Sequence, residues 1–243
     1  MSLMDSIIES TSISPPKIIL YGEPGVGKTT LAASAGCLLI DCEQGAGSIP
    51  GLKRTPYLAK WTQMRDWLYE IARDGMKEKV LAIDTLDWML TRIQEHVVMD
   101  LDGDATITNT IGSSHGGYFK GREVVQNIVY RELIPVLNKI NDNGVALLLL
   151  AHAKHEKSNS AEGFDRSCAV PSIPSWIRDP FTEWSDAVFY ADSERNIATE
   201  CSNLVFAKNR YQLPAKIPLN WPTITQHIAN ANPKSKETDN GQS

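Results

Sequence analysis

Cysteine is scarce in this chain and never closely paired. The four, Cys37, Cys42, Cys168 and Cys201, form no Cys-x-x-Cys unit. That leaves no zinc spacing and no disulfide framework, and the expected setting is a reducing cytoplasm. Cys37 and Cys42 lie on an apolar run that reads as a buried strand, where free cysteine is a small hydrophobe. Long hydrophobic runs are also missing: the longest, residues 145–151, is strand-sized rather than membrane-spanning. Residues 1–14 have neither the basic start nor the apolar stretch of a secretory leader, so no membrane partner is expected. Basic excess is lacking as well. A formal charge of −5 gives no support to nucleic-acid binding by the whole surface, and any basic surface has to be local. No internal repeat is found.

What is present is enough apolar sequence, 42% of 243 residues, for one large α/β domain. Its organising stretch is residues 18–33, IILYGEPGVGKTTLAA. A strand pattern runs into Gly22, Glu23, Pro24, Gly25, Val26, Gly27, Lys28 and Thr29, then through Thr30 into a helix-forming run. This is G-x-x-x-x-G-K-[ST] with a strand before it and a helix after it, the context that a phosphate-binding loop needs. The glycines let backbone N–H groups turn inward as an anion nest, and the helix opening at Lys28 adds its positive end. Lys28 can reach the β- and γ-phosphates, and the Thr29 hydroxyl suits a Mg²⁺ ion. The chain is expected to bind a nucleoside triphosphate, with ATP and Mg²⁺ as cofactors.

Strand and helix then alternate. Residues 37–41 and 80–84 read as buried parallel strands, and residues 61–72 as a helix ending at Gly75. Residues 45–56 read as loop, residues 85–101 as a helix, and residues 102–121 as a long Gly-rich loop of a length that is often functional. Residues 122–143 read as a helix broken at Pro135, whose missing N–H interrupts the ladder. Residues 145–152 are the most hydrophobic strand. A polar loop over 153–180 and strands at 187–191 and 204–207 are expected to follow. Residues 1–16 are predicted to be an arm suited to a subunit contact, residues 17–228 the core, and residues 229–243 a disordered tail. The fold class is α/β: a mostly parallel sheet with helices on both faces.

Three further positions and one basic segment can carry chemistry. Asp84 ends an apolar strand about fifty residues after the phosphate loop, where a carboxylate can hold Mg²⁺ opposite Thr29; it can equally cap the helix that follows. Glu43 lies just past the carboxyl end of strand 37–41, the edge where ligands of open α/β sheets collect. There it can orient an attacking water or stand as a solvated loop carboxylate. His152 ends its strand at the same edge and can touch the γ-phosphate, or simply be a hydrogen-bonded strand-end histidine. Lys208, Asn209 and Arg210 offer cations for transition-state charge, often supplied from a neighbouring subunit, or form a solvated cluster.

Taken in order, GEPGVGKTT (22–30), LLIDCEQG (38–45), VLAIDTLDWM (80–89), LLLLAH (147–152) and VFAKNRYQLP (205–214) resemble the RecA-type core ATPases. The small single-domain form is similar to phage-encoded RecA-like proteins of single-strand annealing and recombination. The resemblance implies that Glu43 is the catalytic glutamate and that His152, where bacterial RecA has Gln, senses the γ-phosphate. It implies that Lys208 or Arg210 acts across a subunit interface of a homo-oligomer. Residues 102–121 and 153–180 correspond to the two DNA-facing loops, with single-stranded DNA and a single-strand-binding protein as implied partners. The large DNA-capturing domain of bacterial RecA has no counterpart in the short stretch after the core. In the sequence itself, residues 118–139 carry Lys120, Arg122, Arg131 and Lys139 against Glu123 and Glu132, while Tyr118, Phe119 and Trp176 can stack on bases or pack their loops. Two rival readings stay open: a P-loop small-molecule kinase, and a nucleotide-dependent switch or loader for replication proteins.

Overall fold

The apolar runs become neighbouring strands in the computed structural model, which describes residues 14–103, 110–159 and 165–231. These are β1 (Lys17–Gly22), β2 (Leu38–Asp41), β3 (Lys53–Arg54), β4 (Val80–Asp84), β5 (Ala146–Asn159), β6 (Asp165–Pro171), β7 (Ala187–Ala191), β8 (Asn196–Ala198), β9 (Lys208–Asn209) and β10 (Lys216–Pro218). The sheet order is β10-β8-β7-β1-β5-β4-β2-β3, with β6 beside β5 and β9 beside β7. From β7 to β3 every pairing is parallel, while β8, β9 and β10 add antiparallel pairs at the β7 edge.

Both faces are covered, which is why the central strands read as unbroken apolar runs. Successive residues still point to opposite faces. Ile18, Leu20, Ala82, Leu148 and Leu150 pack with α1 (Lys28–Ser34) and α7 (Trp221–Asn230). Ile19, Tyr21, Leu81, Ile83, Leu147 and Leu149 pack with α2 (Trp61–Asp74), α3 (Leu86–Glu95), α4 (Lys120–Ile128), α5 (Ile134–Asp142) and α6 (Ser175–Trp184). Truncating one of these fully buried leucines to alanine costs about 2–5 kcal/mol. Burial pushes the Cys37 thiol up to about 12 and the Cys42 thiol well above its usual value, consistent with their role as small hydrophobes. No helix among the described residues is long and apolar enough to cross a membrane.

Several expectations are corrected. Residues 45–56 hold a 3₁₀ turn, Ala46–Ser48, and the short β3. The helix expected over 85–101 is α3 followed by a π-helical turn, His96–Leu101. The break expected at Pro135 takes the form of another π turn, Val129–Leu133, between α4 and α5; widening there relieves the clash of the proline ring with the preceding turn.

The largest correction concerns residues 153–180. β5 continues beyond the sheet and pairs with β6 as an antiparallel ribbon, Ala153 opposite Pro171 and Glu156 opposite Cys168, and α6 follows. Among the described side chains of the ribbon only those at its base, where Ala169 and Val170 lie, are buried, so its length lacks the apolar alternation that marks a half-buried strand. In α6, Pro180 cannot donate to the Trp176 carbonyl, which accepts from Gln126 Nε2 at 2.9 Å instead. A helix with an internal proline thus persists, anchored by buried Ile177 and Phe181. Residues 204–207 form a single bridge, Val205 to Ala169, rather than a strand. Within the expected loop 102–121, residues 104–109 lie outside the described residues. Residues 110–119 make consecutive turns, and His115, Gly116, Gly117, Tyr118 and Phe119 all have φ between 52° and 85°. The predicted arm falls outside the described residues over 1–13, and the tail over 232–243; α7 itself runs to Asn230, past the boundary expected at 228.

Candidate nucleotide site

β1 and α1 are joined by the phosphate loop, and its shape depends on two glycines. Gly27 precedes α1 at φ 107°, a conformation that side chains rarely tolerate. A Cβ on Gly22 would stand 2.5 Å from the Ala191 carbonyl oxygen, so only glycine lets β1 and β7 close together here. A cavity of about 330 Å³ opens above the loop, lined by Pro24, Gly25, Gly27, Lys28, Thr29 and Thr30 and by Glu43, Asp84, Thr85 and His152. These lie at the carboxyl ends of β1, β2 and β4 and where β5 leaves the parallel sheet, which the register sets side by side: Asp41 faces Asp84, and Gly22 faces His152.

Lys28 is buried, and its Nζ donates to the carbonyls of Gly22 at 2.9 Å and Glu23 at 3.0 Å. Burial lowers its pKa, opposed by Asp84, Asp87, Glu43 and Glu23. Thr29 Oγ1 donates to Asp84 Oδ2 at 2.7 Å. Asp84 does not cap α3, whose N-cap position is Thr85 with no side-chain capping bond. Burial raises the Asp84 pKa, opposed by the Thr29 hydrogen bond and Lys28. A hydroxyl and a carboxylate that meet at the edge of a phosphate cavity are the oxygen donors Mg²⁺ takes, so the residues fit that ion.

Glu43 sits on a turn built by Asp41. Asp41 Oδ1 accepts the Gln44 N–H at 2.7 Å and the Glu43 N–H at 3.3 Å, and Arg54 holds Oδ2 at 3.0 Å. Glu43 Oε1 accepts a hydrogen bond from Thr85 Oγ1 and lies 3.7 Å from His152 Nδ1. Its pKa is raised by burial first, opposed by Thr85 and His152.

Asp87, which the sequence reading passed over, holds His152. Its Oδ1 accepts the His152 backbone N–H at 3.1 Å and its Oδ2 lies 2.8 Å from Nδ1. Asp87 stands three residues past Asp84, in the first turn of α3. The D-x-x-D spacing of IDTLD was the available signal. Just beyond, His155 Nε2 on the ribbon lies 3.4 Å from Glu23 of the phosphate loop.

Lys208 and Arg210 are not brought to this cavity. β9 pairs with Ala187 and Val188, at the start of β7, whereas Gly22 faces Ala191 at its end. Lys208 Nζ donates to the carbonyls of Thr182, Glu183 and Ser185 at 2.7–2.8 Å, which satisfies the carboxyl end of α6. Arg210 pairs with Asp186 at 3.3 Å. Asn209 pins the following turn through both backbone groups of Leu213. Within one chain these cations are engaged in local structure, whereas the expected role was at the site of a neighbouring subunit.

A parallel sheet with a glycine-built phosphate loop, and a threonine–aspartate pair beside it, define a P-loop nucleotide-binding protein. The chain belongs to the AAA domain family, whose model matches residues 14–211. That membership makes it an ATPase-type nucleotide-binding domain and bears out the coarser part of the resemblance drawn from the sequence. No curated protein matches the chain.

Proposed function

We propose that the protein is a Mg²⁺-dependent, RecA-like ATPase that acts on single-stranded DNA in phage-type recombination, annealing or repair, working as a homo-oligomer in the cytoplasm. The observation that carries the reading is the meeting of Lys28, Thr29, Asp84, Glu43 and His152 around one cavity.

In this reading Lys28 and the loop N–H groups hold the phosphates. Thr29 and Asp84 hold Mg²⁺, which when bound neutralises phosphate charge. Glu43 orients a water on the γ-phosphate and accepts its proton as the bond to the β-phosphate breaks. Half-buried and hydrogen-bonded to Thr85, its carboxylate is aimed rather than free to swing. His152, fixed by Asp87, touches the γ-phosphate and begins the stretch of β5 that leaves the sheet as the ribbon. Loss of the γ-phosphate therefore has a short mechanical path to the paired strands over 153–159 and 165–171. Support for single-stranded DNA comes from Tyr118 and Phe119, 93% and 55% exposed. Arg122 lies 4.1 Å over the Phe119 ring, an aromatic–cationic surface of the kind on which bases stack. A single-strand-binding protein is the expected companion.

The test is ATP hydrolysis by the purified chain with and without single-stranded DNA, with Lys28→Ala as the blank. Stimulation by DNA supports the reading. ATP turnover with no DNA effect and no DNA affinity removes DNA and leaves a nucleotide switch acting on proteins.

A further inference from the structure

Three side chains of different chemistry offer atoms to one point. Glu43 Oε1, Asp87 Oδ2 and His152 Nδ1 all lie within 4.8 Å of one another. They arrive from three places in the fold: the turn after β2, the first turn of α3, and β5. We infer that this trio is a binding site for a divalent transition ion of the Zn²⁺ class, separate from the Thr29–Asp84 pair, and that the bound ion stops ATP hydrolysis by withdrawing Glu43. The site stands on its own geometry; its effect on turnover rests on the ATPase reading above.

Spacing comes first. A tetrahedral ion with ligands at about 2.0–2.1 Å sets those ligands about 3.3–3.4 Å apart. His152 Nδ1 stands 2.8 Å from Asp87 Oδ2 and 3.7 Å from Glu43 Oε1. These two edges bracket the required spacing, so small side-chain rotations satisfy both. The frame around the trio is already held. The His152 backbone N–H donates to Asp87 Oδ1 at 3.1 Å, and its carbonyl accepts the Ser172 N–H at 2.8 Å. Glu43 Oε1 accepts from the Thr85 hydroxyl. Partners of this kind orient the ligand groups of metal sites. Glu43 and His152 also line the 330 Å³ cavity, which leaves space for a water or phosphate oxygen as the remaining ligand.

Ligand chemistry comes second. Thr29 and Asp84 offer oxygen alone, the donor that Mg²⁺ takes. An imidazole nitrogen in the trio moves the preference to Zn²⁺ and its neighbours, and two carboxylates balance the charge of one divalent ion. On binding, the proton at His152 Nδ1 moves to Nε2, so the ring stays neutral and turns a lone pair on the ion. The Glu43 carboxylate, once it shares its charge with the ion, is a poor proton acceptor. Hydrolysis stops while the phosphate loop still holds ATP.

Calorimetric titration of the metal-stripped full chain with Zn²⁺, without nucleotide or Mg²⁺, tests the site. Co²⁺ in its place should give the intense visible bands of a four-coordinate ion. His152→Ala and Asp87→Ser should each weaken Zn²⁺ by at least the tenfold to hundredfold, roughly, that losing an outer-shell partner costs, and Thr85→Val by about tenfold. Thr29→Ala should leave Zn²⁺ affinity unchanged, as should Cys201→Ser, which removes the exposed thiol. Thermal unfolding checks that the variants are folded. Wild-type affinity in both His152→Ala and Asp87→Ser overturns the site. So does loss confined to Thr29→Ala, which would put the ion on the oxygen pair, or to Cys201→Ser. With Mg²⁺-ATP in excess, Zn²⁺ should abolish turnover by the wild type and leave ATP affinity unchanged. Turnover that persists with the trio filled overturns the inhibitory role. A chain that hydrolyses no ATP even without Zn²⁺ sinks the ATPase reading, and the Zn²⁺ titration still decides the site.

Discussion

Both carboxylate oxygens of Asp87 are turned on His152, one to its backbone N–H at 3.1 Å and one to its ring Nδ1 at 2.8 Å. β4 ends at Asp84, so Asp87 supplies from α3 the acceptor that the next rung of the ladder would have given. The same contact fixes the imidazole against the cavity. Asp87→Asn converts one of the two acceptors into a donor, so the backbone and the ring can no longer both be satisfied. The expected result is a fall in hydrolysis of about ten- to a hundredfold, the scale of one charged hydrogen bond, with ATP affinity held within about twofold. Single-turnover rates and equilibrium binding separate the two. Combining Asp87→Asn with His152→Ala should add little to His152→Ala alone, since both disable one unit.

Glu43 gives a prediction with a pH sign. Its pKa is raised chiefly by burial, so the folded protein takes up this proton at a pH where the unfolded chain, near the usual 4.3, is still ionised. Above the raised value the half-buried carboxylate opposes folding; below the unfolded value the opposition is gone. Glu43→Gln should therefore be more stable than wild type at pH 7, and the advantage should shrink as pH falls through the raised pKa. The same variant should bind ATP and not turn it over. Thermal melts from pH 4 to 7 beside an ATPase assay check both, and a variant no more stable at neutral pH would remove the burial argument.

Lys208 is expected to matter for stability rather than chemistry. Its ammonium closes three carbonyls at the end of α6, and burial lowers its pKa; Thr182 and Glu183 keep donors in the Ser185 hydroxyl and Arg210, so removal deprives the Ser185 carbonyl above all. Lys208→Ala should destabilise by about 1–3 kcal/mol, while turnover per folded molecule stays at the wild-type level. Normal stability with lost turnover, rescued by mixing with a Lys28→Ala protein, would return Lys208 to a role across subunits.

Much of the fold and the phosphate half of the site was legible because both depend on local pattern. Residues 18–33 carry strand, glycines, lysine and threonine in one run, and continuous apolar stretches identify strands buried on both faces. What escaped depends on partners distant in sequence. The ribbon has no apolar period, because it is buried only at its base, where Ala169 and Val170 lie. α6 contains Pro180, and only Gln126, more than fifty residues earlier, takes the carbonyl that the proline leaves open. Asp87 meets His152, 65 residues on, only once β5 lies beside β4. Lys208 meets the carbonyls at the end of α6, 23 to 26 residues earlier, only in the folded chain.

The turn at 115–119 carries the last prediction. Five successive residues with positive φ include two aromatic ones, His115, Tyr118 and Phe119 being the non-glycine members. Each such residue costs about 1–2 kcal/mol relative to an ordinary conformation, so the turn holds Tyr118 outward against its own preference, 93% exposed. Tyr118→Gly separates structure from binding, because glycine accepts φ 52° without penalty and removes only the ring. The variant should melt no lower than wild type and should bind ATP normally. Its affinity for single-stranded DNA should fall by about 1–3 kcal/mol, the worth of one stacked base. Because stacking releases no counterions, the slope of affinity against salt should not change. A changed slope would mean that the loop had lost phosphate contacts instead. DNA affinity equal to wild type would mean that Tyr118 faces something other than a base, and the DNA surface would then have to be sought on the ribbon.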